Sequence, residues 1–316
     1  MNQDEPLLAA RRAFRNGSRS FATASLLFDR TTRRDVTLLY AWCRHCDDTI
    51  DGQILGYGQT GAVADKLAIL AEIEVQTRAA FALAPIADPA FAALQQVARH
   101  RQLPMALALD HLAGFRMDVT GRLYRTIEDT LEYCHHIAGV VGLMMAHVMG
   151  QREPAVLARA ADLGVAFQLT NIARDVVEDA ANGRVYLPDL WLREAGLARA
   201  DITNPAAREA LANVVNRLLD LAETFYQSAG VGIAALPPRA AWAIATASAI
   251  YRDIGHQLRA QGPRAWDRRC HTTPMRKLVL AARSLGQLRR LQAPPGAILS
   301  SDPAPQPEFT RAGRHS

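Results

Sequence analysis

The chain has 316 residues, of which 49% are hydrophobic, 21% charged and only 6% aromatic. That is enough for a large buried core, and a mixture rich in Ala and Leu favours helix over sheet. The net charge of +5, from 36 Lys plus Arg against 31 Asp plus Glu, is scattered rather than gathered beside aromatics. A nucleic-acid partner is therefore not expected, whereas small anionic ligands suit the balance.

Residues 1–8 are polar and acidic, without a secretory signal, and no apolar run reaches the roughly 18 residues that span a bilayer. A cytoplasmic location is expected. Helical periodicity holds from Pro6 to about Leu291. After an interruption at Asp29 to Thr32, a long helix covers about 33–51 and stops at Gly52. A Gly- and Gln-rich loop (52–61) precedes helices at about 62–83 and 89–101, and Pro104 opens another through Val119. Thr126 and Asp129 form a capping-box pattern ahead of a helix at 131–149. Further helices are expected at 154–179, with Asn182-Gly183 as stop, and at 204–229, 238–261 and 274–291. The chain reads as one all-α domain over 1–292, followed by a Pro-rich tail at 293–316 expected to be disordered.

Cys43 and Cys46 form a CxxC, yet no second pair follows at zinc spacing and the pair lies inside a helix. Redox motifs place such thiols at a helix N-terminus, so a structural role is expected.

Two carboxylate clusters stand in unfavourable places. In the first long helix Val36, Leu39, Tyr40, Cys43 and Ile50 share an apolar stripe, with Asp47 in its midst and Asp51 one turn on. Like charges at i,i+4 repel by about 0.2–0.5 kcal/mol. Anions in a last helical turn oppose the macrodipole at a cost of about 0.3–1 kcal/mol. Gln168, Asn171, Asp175 and Asp179 repeat the arrangement, again at a helix end. Two such sets of oxygen ligands, facing each other, would hold Mg²⁺ and through it a diphosphate. The competing reading is a pair of solvated acidic helix ends with Arg44–Asp48 and Arg174–Glu178 ion pairs.

At these residues the sequence resembles the squalene/phytoene synthase family. Tyr40-Ala-Trp-Cys-Arg-His-Cys-Asp47-Asp48-Thr-Ile-Asp51 is similar to its first aspartate-rich motif, and Phe167-Gln-Leu-Thr-Asn171-Ile-Ala-Arg174-Asp175-Val-Val-Glu-Asp179 to its second. Between them, Tyr133-Cys-His-His-Ile-Ala138-Gly139-Val-Val141-Gly142 resembles a Gly-kinked pocket helix. Gly183-Arg-Val-Tyr186-Leu-Pro188 matches the segment after the second motif, and the likeness runs over about residues 14–270.

The resemblance implies an isoprenoid-synthase helical bundle around a deep hydrophobic cavity. It assigns Asp47, Asp51, Asn171, Asp175 and Asp179 to Mg²⁺ or Mn²⁺, and Arg44, Arg174 and Arg268 to phosphate. It gives Ser18, Ser20 and Phe21 a covering role. Tyr40, Tyr133, Tyr186 and Tyr251 fall near the reacting carbons, and Gln168, Ile137, Ala138, Val141 and Gly142 near the substrate. From the residues alone, each tyrosine fits a packed core better than a catalytic role, and the small residues fit close helix packing as well as a pocket.

The implied reaction is metal-assisted head-to-head condensation of two geranylgeranyl diphosphates, through prephytoene diphosphate, to phytoene. NADPH is not expected. The alternatives are a squalene or dehydrosqualene synthase using farnesyl diphosphate and, in a different class, a non-catalytic helical scaffold. Substrate and product are greasy, so peripheral membrane contact for product release is a further expectation, although no amphipathic basic helix marks its surface.

Overall fold

The structure, a computed structural model, describes residue 10, residues 23–52 and residues 66–291, with backbone alone at 51 and 289–291. Ser18, Ser20 and Phe21, the loop beyond Gly52 and the 293–316 tail lie outside the described residues. Among those described there is no strand, and no helix is long and apolar enough to cross a membrane.

Helix α1 (Arg30–Asp51) begins where Asp29 caps it, its Oδ1 accepting the amides of Thr31 (3.0 Å) and Thr32 (2.9 Å). It ends at Gly52, whose φ of 64° turns the chain immediately after the first acidic motif. Helices α2 (Lys66–Phe81), α3 (Pro89–Arg101) and α4 (Met105–Val119) pack with α1 into one group. Pro104 is the cap of α4 rather than its first residue.

Helix α5 (Ile127–Cys134) starts where Asp129 Oδ2 accepts the Thr126 amide at 3.0 Å, one half of the expected capping box. The single helix expected over 131–149 is divided. A π-helical segment at His135–Gly139 separates α5 from α6 (Val140–Val148). Apolar periodicity does not register one widened turn, but its cause is visible in the packing. A Cβ on Gly164 would lie 2.1 Å from the Ala138 carbonyl oxygen, and one on Gly142 would lie 2.1 Å from that of Ala160. The backbones touch there, and the wide turn lets them do so.

The partner in that contact is α7 (Pro154–Ala181), the longest helix, which packs against the π segment, α6, α9 (Arg208–Ile233) and α10 (Pro238–Gln261). It stops at Asn182 and Gly183 (φ 79°), as the sequence predicts. Short α8 (Asp189–Glu194) follows, and α9 begins four residues later and ends four residues later than expected. A 3₁₀ turn at Pro205–Ala207 occupies the start of the expected 204–229 helix, after another at Arg199–Thr203. Helix α11 (Pro274–Leu291) lies on the outer side of α10.

Candidate active site

A cavity of about 230 Å³ opens between the π segment with α6 and the α7, α9 and α10 helices, with Tyr40 of α1 in its wall. Its wall includes Ile137, Ala138, Val141 and Gly142, all four pocket residues named from the sequence. The glycine contacts beneath them mean that the same small residues serve close helix packing as well. On α7 the lining recurs as Val156, Arg159, Ala160, Leu163, Gly164, Phe167 and Asn171, one helical face. Arg159 is buried, and its guanidinium is turned to the Ser228 hydroxyl (2.6 Å), with Asp162 3.9 Å away. Its stem is pressed against Gly232, where an added Cβ would lie 2.4 Å from Arg159 Cβ.

Tyr40, Asn171 and Tyr251 line the cavity at its polar end. Phe167 stacks on Tyr251 with ring centroids 4.3 Å apart. Burial pushes the Tyr40 hydroxyl well above the usual tyrosine range, with Arg44, Tyr251 and Asp47 as its electrostatic neighbours. The α1 and α7 motifs thus converge at one end of an apolar chamber.

The place of Asp47 differs from expectation. Two adjacent stripes run along α1. Leu39, Trp42, Cys46 and Ile50 are fully buried, whereas Tyr40 and Cys43 are partly buried and Asp47 is 43% exposed. Counted at 3 and 4 residues, Asp47 follows Tyr40, which lines the cavity, and Cys43, rather than the core stripe. Cys43 and Cys46 are free thiols, and burial pushes Cys43 up to about 12 and Cys46 well above the usual range. Such thiols are inert, in keeping with a structural role.

Arginines hold the acids. Arg44 meets Asp47 at 2.9 Å and Asp48 at 2.5 Å. Arg174 is bidentate to Asp175, through Nε at 2.9 Å and Nη2 at 2.5 Å, rather than paired with Glu178. Burial opposes the charge on Arg174, but Asp175 outweighs it and keeps the guanidinium firmly protonated. Asn171 donates its amide to Gln168 Oε1 at 3.3 Å.

Arg268 is exposed on the segment after α10, and its neighbour Arg269 reaches the site instead. Arg269 Nη2 lies 3.2 Å from Asp175 Oδ2, and its Nη1 lies 3.8 Å from Glu178. The segment is pinned to α7 by Trp266, whose indole N–H donates to the Ala173 carbonyl at 3.0 Å. Sequence alone offers two consecutive arginines after Gly262-Pro263 and no means of choosing between them.

Tyr133 and Tyr186 converge on a residue the sequence reading passed over, Asp118 at the end of α4. Their hydroxyls donate to Asp118 Oδ2 and Oδ1, each at 3.0 Å. An acid in a last helical turn was the available signal, the same one that marks Asp47.

Among the described residues, no three His, Cys, Asp or Glu side chains are drawn together tightly enough to hold a metal ion ready-made. The donor chemistry nevertheless fits a hard cation. Burial, with Asp175, Glu178 and Asp118 nearby, pushes the Asp179 carboxyl up to about 7. A divalent cation bound by oxygen ligands would relieve that crowding.

Comparison with known proteins agrees with this geometry. The squalene/phytoene synthase family matches residues 14–276. A phytoene synthase of Pseudescherichia vulneris is 52% identical over 291 residues, 92% of this chain and 94% of that protein. The 15-cis-phytoene synthase of Pantoea ananas is 52% identical over 272 residues, covering 86% of this chain and 88% of that one. Among solved structures, a dehydrosqualene synthase in complex with ligand superposes with a TM-score of 0.79 at 28% identity, covering 90% of this chain and all of that one. A squalene synthase from Alicyclobacillus acidocaldarius gives 0.72 at 27% identity, over 82% and 95% of the two chains. Matched over most of its length in sequence and in fold, the chain belongs to the squalene/phytoene synthase family.

Proposed function

We propose that this protein condenses two molecules of geranylgeranyl diphosphate head to head, through prephytoene diphosphate, to phytoene and released diphosphate. The observation that carries the reading is the length of the cavity. Its lining runs along α7 from Asn171 at the polar end to Val156, fifteen residues and hence about 22 Å at 1.5 Å per residue. An extended isoprenoid advances ~5 Å per five-carbon unit, given carbon–carbon bonds of roughly 1.5 Å. Twenty carbons need about 20 Å of that wall and fifteen about 15 Å, so the longer chain matches. The 52% identity to phytoene synthases adds weight to the same choice.

Arg44, Arg174 and Arg269 stand where the diphosphates would lie, each already engaged with an acid of the site. Guanidinium forks suit phosphate oxygens and exchange readily between them and carboxylates. Asp47, Asn171, Asp175 and Asp179, with Asp51 at the end of α1, would hold a divalent cation, which would supply Lewis-acid stabilisation to the departing diphosphate. Once the carbon–oxygen bond breaks, the allylic cation is attacked by the double bond of the second substrate, and loss of a proton from the resulting cation closes the cyclopropane. The second ionisation, rearrangement and proton loss then yield phytoene. The stacked Phe167 and Tyr251 rings present π faces to the cations. The apolar wall excludes water that would capture them.

The test is product analysis after incubating the full chain with geranylgeranyl or farnesyl diphosphate, with Mg²⁺, Mn²⁺ or chelator and without NADPH. A forty-carbon hydrocarbon formed from the twenty-carbon substrate in the presence of a divalent cation is expected. Preference for the fifteen-carbon substrate would overturn the chain-length assignment, and undiminished turnover in chelator would overturn the cation.

A further inference from the structure

Helix α11 buries a mixed face and leaves an apolar one in water. Its inward side carries Lys277, 8% exposed, and Ser284, 2% exposed, whose hydroxyl donates to the Ala245 carbonyl of α10 at 3.4 Å. Its outward side carries Met275 (71% exposed), Leu278 (64%) and Val279 (42%), spaced i, i+3 and i+4. The inward side also carries the half-buried Leu280, Ala281 and Leu288, so packing on α10 accounts for that side and leaves the outward apolar stripe uncovered, at a cost in free energy.

The helix also holds Arg276, Lys277, Arg283, Arg289 and Arg290 and no acidic residue. Arg283 is exposed one turn beyond Val279, beside the apolar stripe. Arg276 ties the helix to its neighbour through Asp253 at 2.6 Å, so the stripe is presented on a fixed support.

We propose that the outward face of α11, Met275, Leu278 and Val279 with Arg283 beside them, docks the protein on an anionic lipid bilayer. Apolar side chains inserted at the headgroup boundary, flanked by arginines, match both components of such a surface. Helix α10, which carries α11 on its outer side, lines the cavity with Ile244 and Tyr251 on its inner side. The docked face would therefore lie one helix away from a chamber filled and emptied by membrane-soluble chains. The inference rests on the proposed reaction only for its purpose, because lipid binding is read without turnover.

The experiment is flotation of the full chain with vesicles of phosphatidylcholine alone or mixed with phosphatidylglycerol. Wild type is expected to float with the mixed vesicles and to be released by salt. Leu278→Ser with Val279→Ser should weaken partitioning on the order of a hundredfold, and Arg283→Gln about fivefold. Thermal unfolding and turnover in detergent should stay as in wild type, since these side chains touch neither core nor cavity. Flotation unaffected by the double substitution would overturn the proposal, as would a wild type that ignores both vesicles. So would a wild-type dimer that the double substitution dissolves, which would seat a second copy on the stripe. Protection of residues 275–283 from hydrogen exchange in the free chain would likewise overturn it, marking cover by another segment.

Discussion

Tyr133 stacks on Tyr186 with ring centroids 4.5 Å apart and planes inclined by 18°, and both hydroxyls donate to one carboxylate, that of Asp118. Burial, followed by the charge of Asp118, pushes both phenols well above the usual tyrosine range, so they remain protonated donors. Asp118 is also among the charges that raise Asp179 on α7. The pair therefore ties the end of α4 to α5 and to the segment that follows the second acidic motif. Tyr133→Phe and Tyr186→Phe should each lose roughly 1.5–3 kcal/mol, the net worth of a hydrogen bond to a charged group. Asp118→Ala should lose more, because it leaves two buried hydroxyls without their acceptor. Urea denaturation measures both, and a Tyr186→Phe variant unfolding at the wild-type midpoint would contradict the assignment.

Gly142 and Gly164 hold the π segment and α6 against α7 through backbone contact. A methyl group at either would meet a carbonyl oxygen at 2.1 Å, and a carbonyl cannot rotate away as a side chain would. Gly142→Ala and Gly164→Ala should each destabilise by about 1–3 kcal/mol or more, the range for overpacking. Gly230 on α9 has nothing within 4 Å of an added Cβ. Gly230→Ala should therefore stabilise, by up to about 1 kcal/mol from helix propensity. Opposite signs in thermal unfolding are the expected outcome, and a common sign would show that propensity rather than contact governs these positions.

What the sequence revealed and what it hid divide along physical lines. Helix ends were legible because they rest on local chemistry, such as the Asp129 cap, the Gly52 turn and the Asn182-Gly183 stop. The two acidic motifs were legible because carboxylates at i,i+4 in a last turn are penalised wherever they occur. The core stripe of α1 was blurred, because Leu39-Trp42-Cys46-Ile50 and Tyr40-Cys43-Asp47 lie side by side and, Asp47 apart, both look apolar. Only the neighbouring helices decide which faces the core. Arg269 and Asp118 were hidden for a related reason: each reaches the site across tertiary contacts, Trp266 on α7 in one case and paired tyrosines in the other. On α11 the outward stripe of Met275, Leu278 and Val279 lies beside an inward one of Leu280, Ala281 and Leu288, and only the packing on α10 separates them.

His111 predicts a pH dependence of stability. It is buried between Trp42 and Phe115, with Nδ1 3.2 Å from the His136 carbonyl and Asp110 and His136 as its charged or titratable neighbours. Burial lowers its pKa from 6.5 to about 4. Between those values the unfolded chain binds the proton and the folded protein does not, so stability is full above 6.5 and is lost as pH falls toward 4. From pH 7.5 to pH 5 the contribution amounts to about 2 kcal/mol. Urea unfolding at the two pH values should show a smaller loss in His111→Leu than in wild type. Equal losses would mean that the imidazole does not titrate as its burial requires.

The length argument for the substrate gives the sharpest prediction. Val156 is buried at the end of the cavity face of α7, fifteen residues from Asn171 and far from the acidic motifs. An aromatic ring there would occupy the space of the last five-carbon unit of a twenty-carbon chain. A fifteen-carbon chain, about 5 Å shorter by the same bond geometry, would not reach it. Val156→Phe should therefore lower kcat/KM for geranylgeranyl diphosphate by roughly 10- to 200-fold, the range in which pockets discriminate a misfitting apolar group. Farnesyl diphosphate should be used no worse than by wild type. Because both substrates meet the same folded protein, a loss of structure would depress both rates together. Only a selective loss reports cavity depth, and a variant that slows both equally would mean that the chain does not lie along α7.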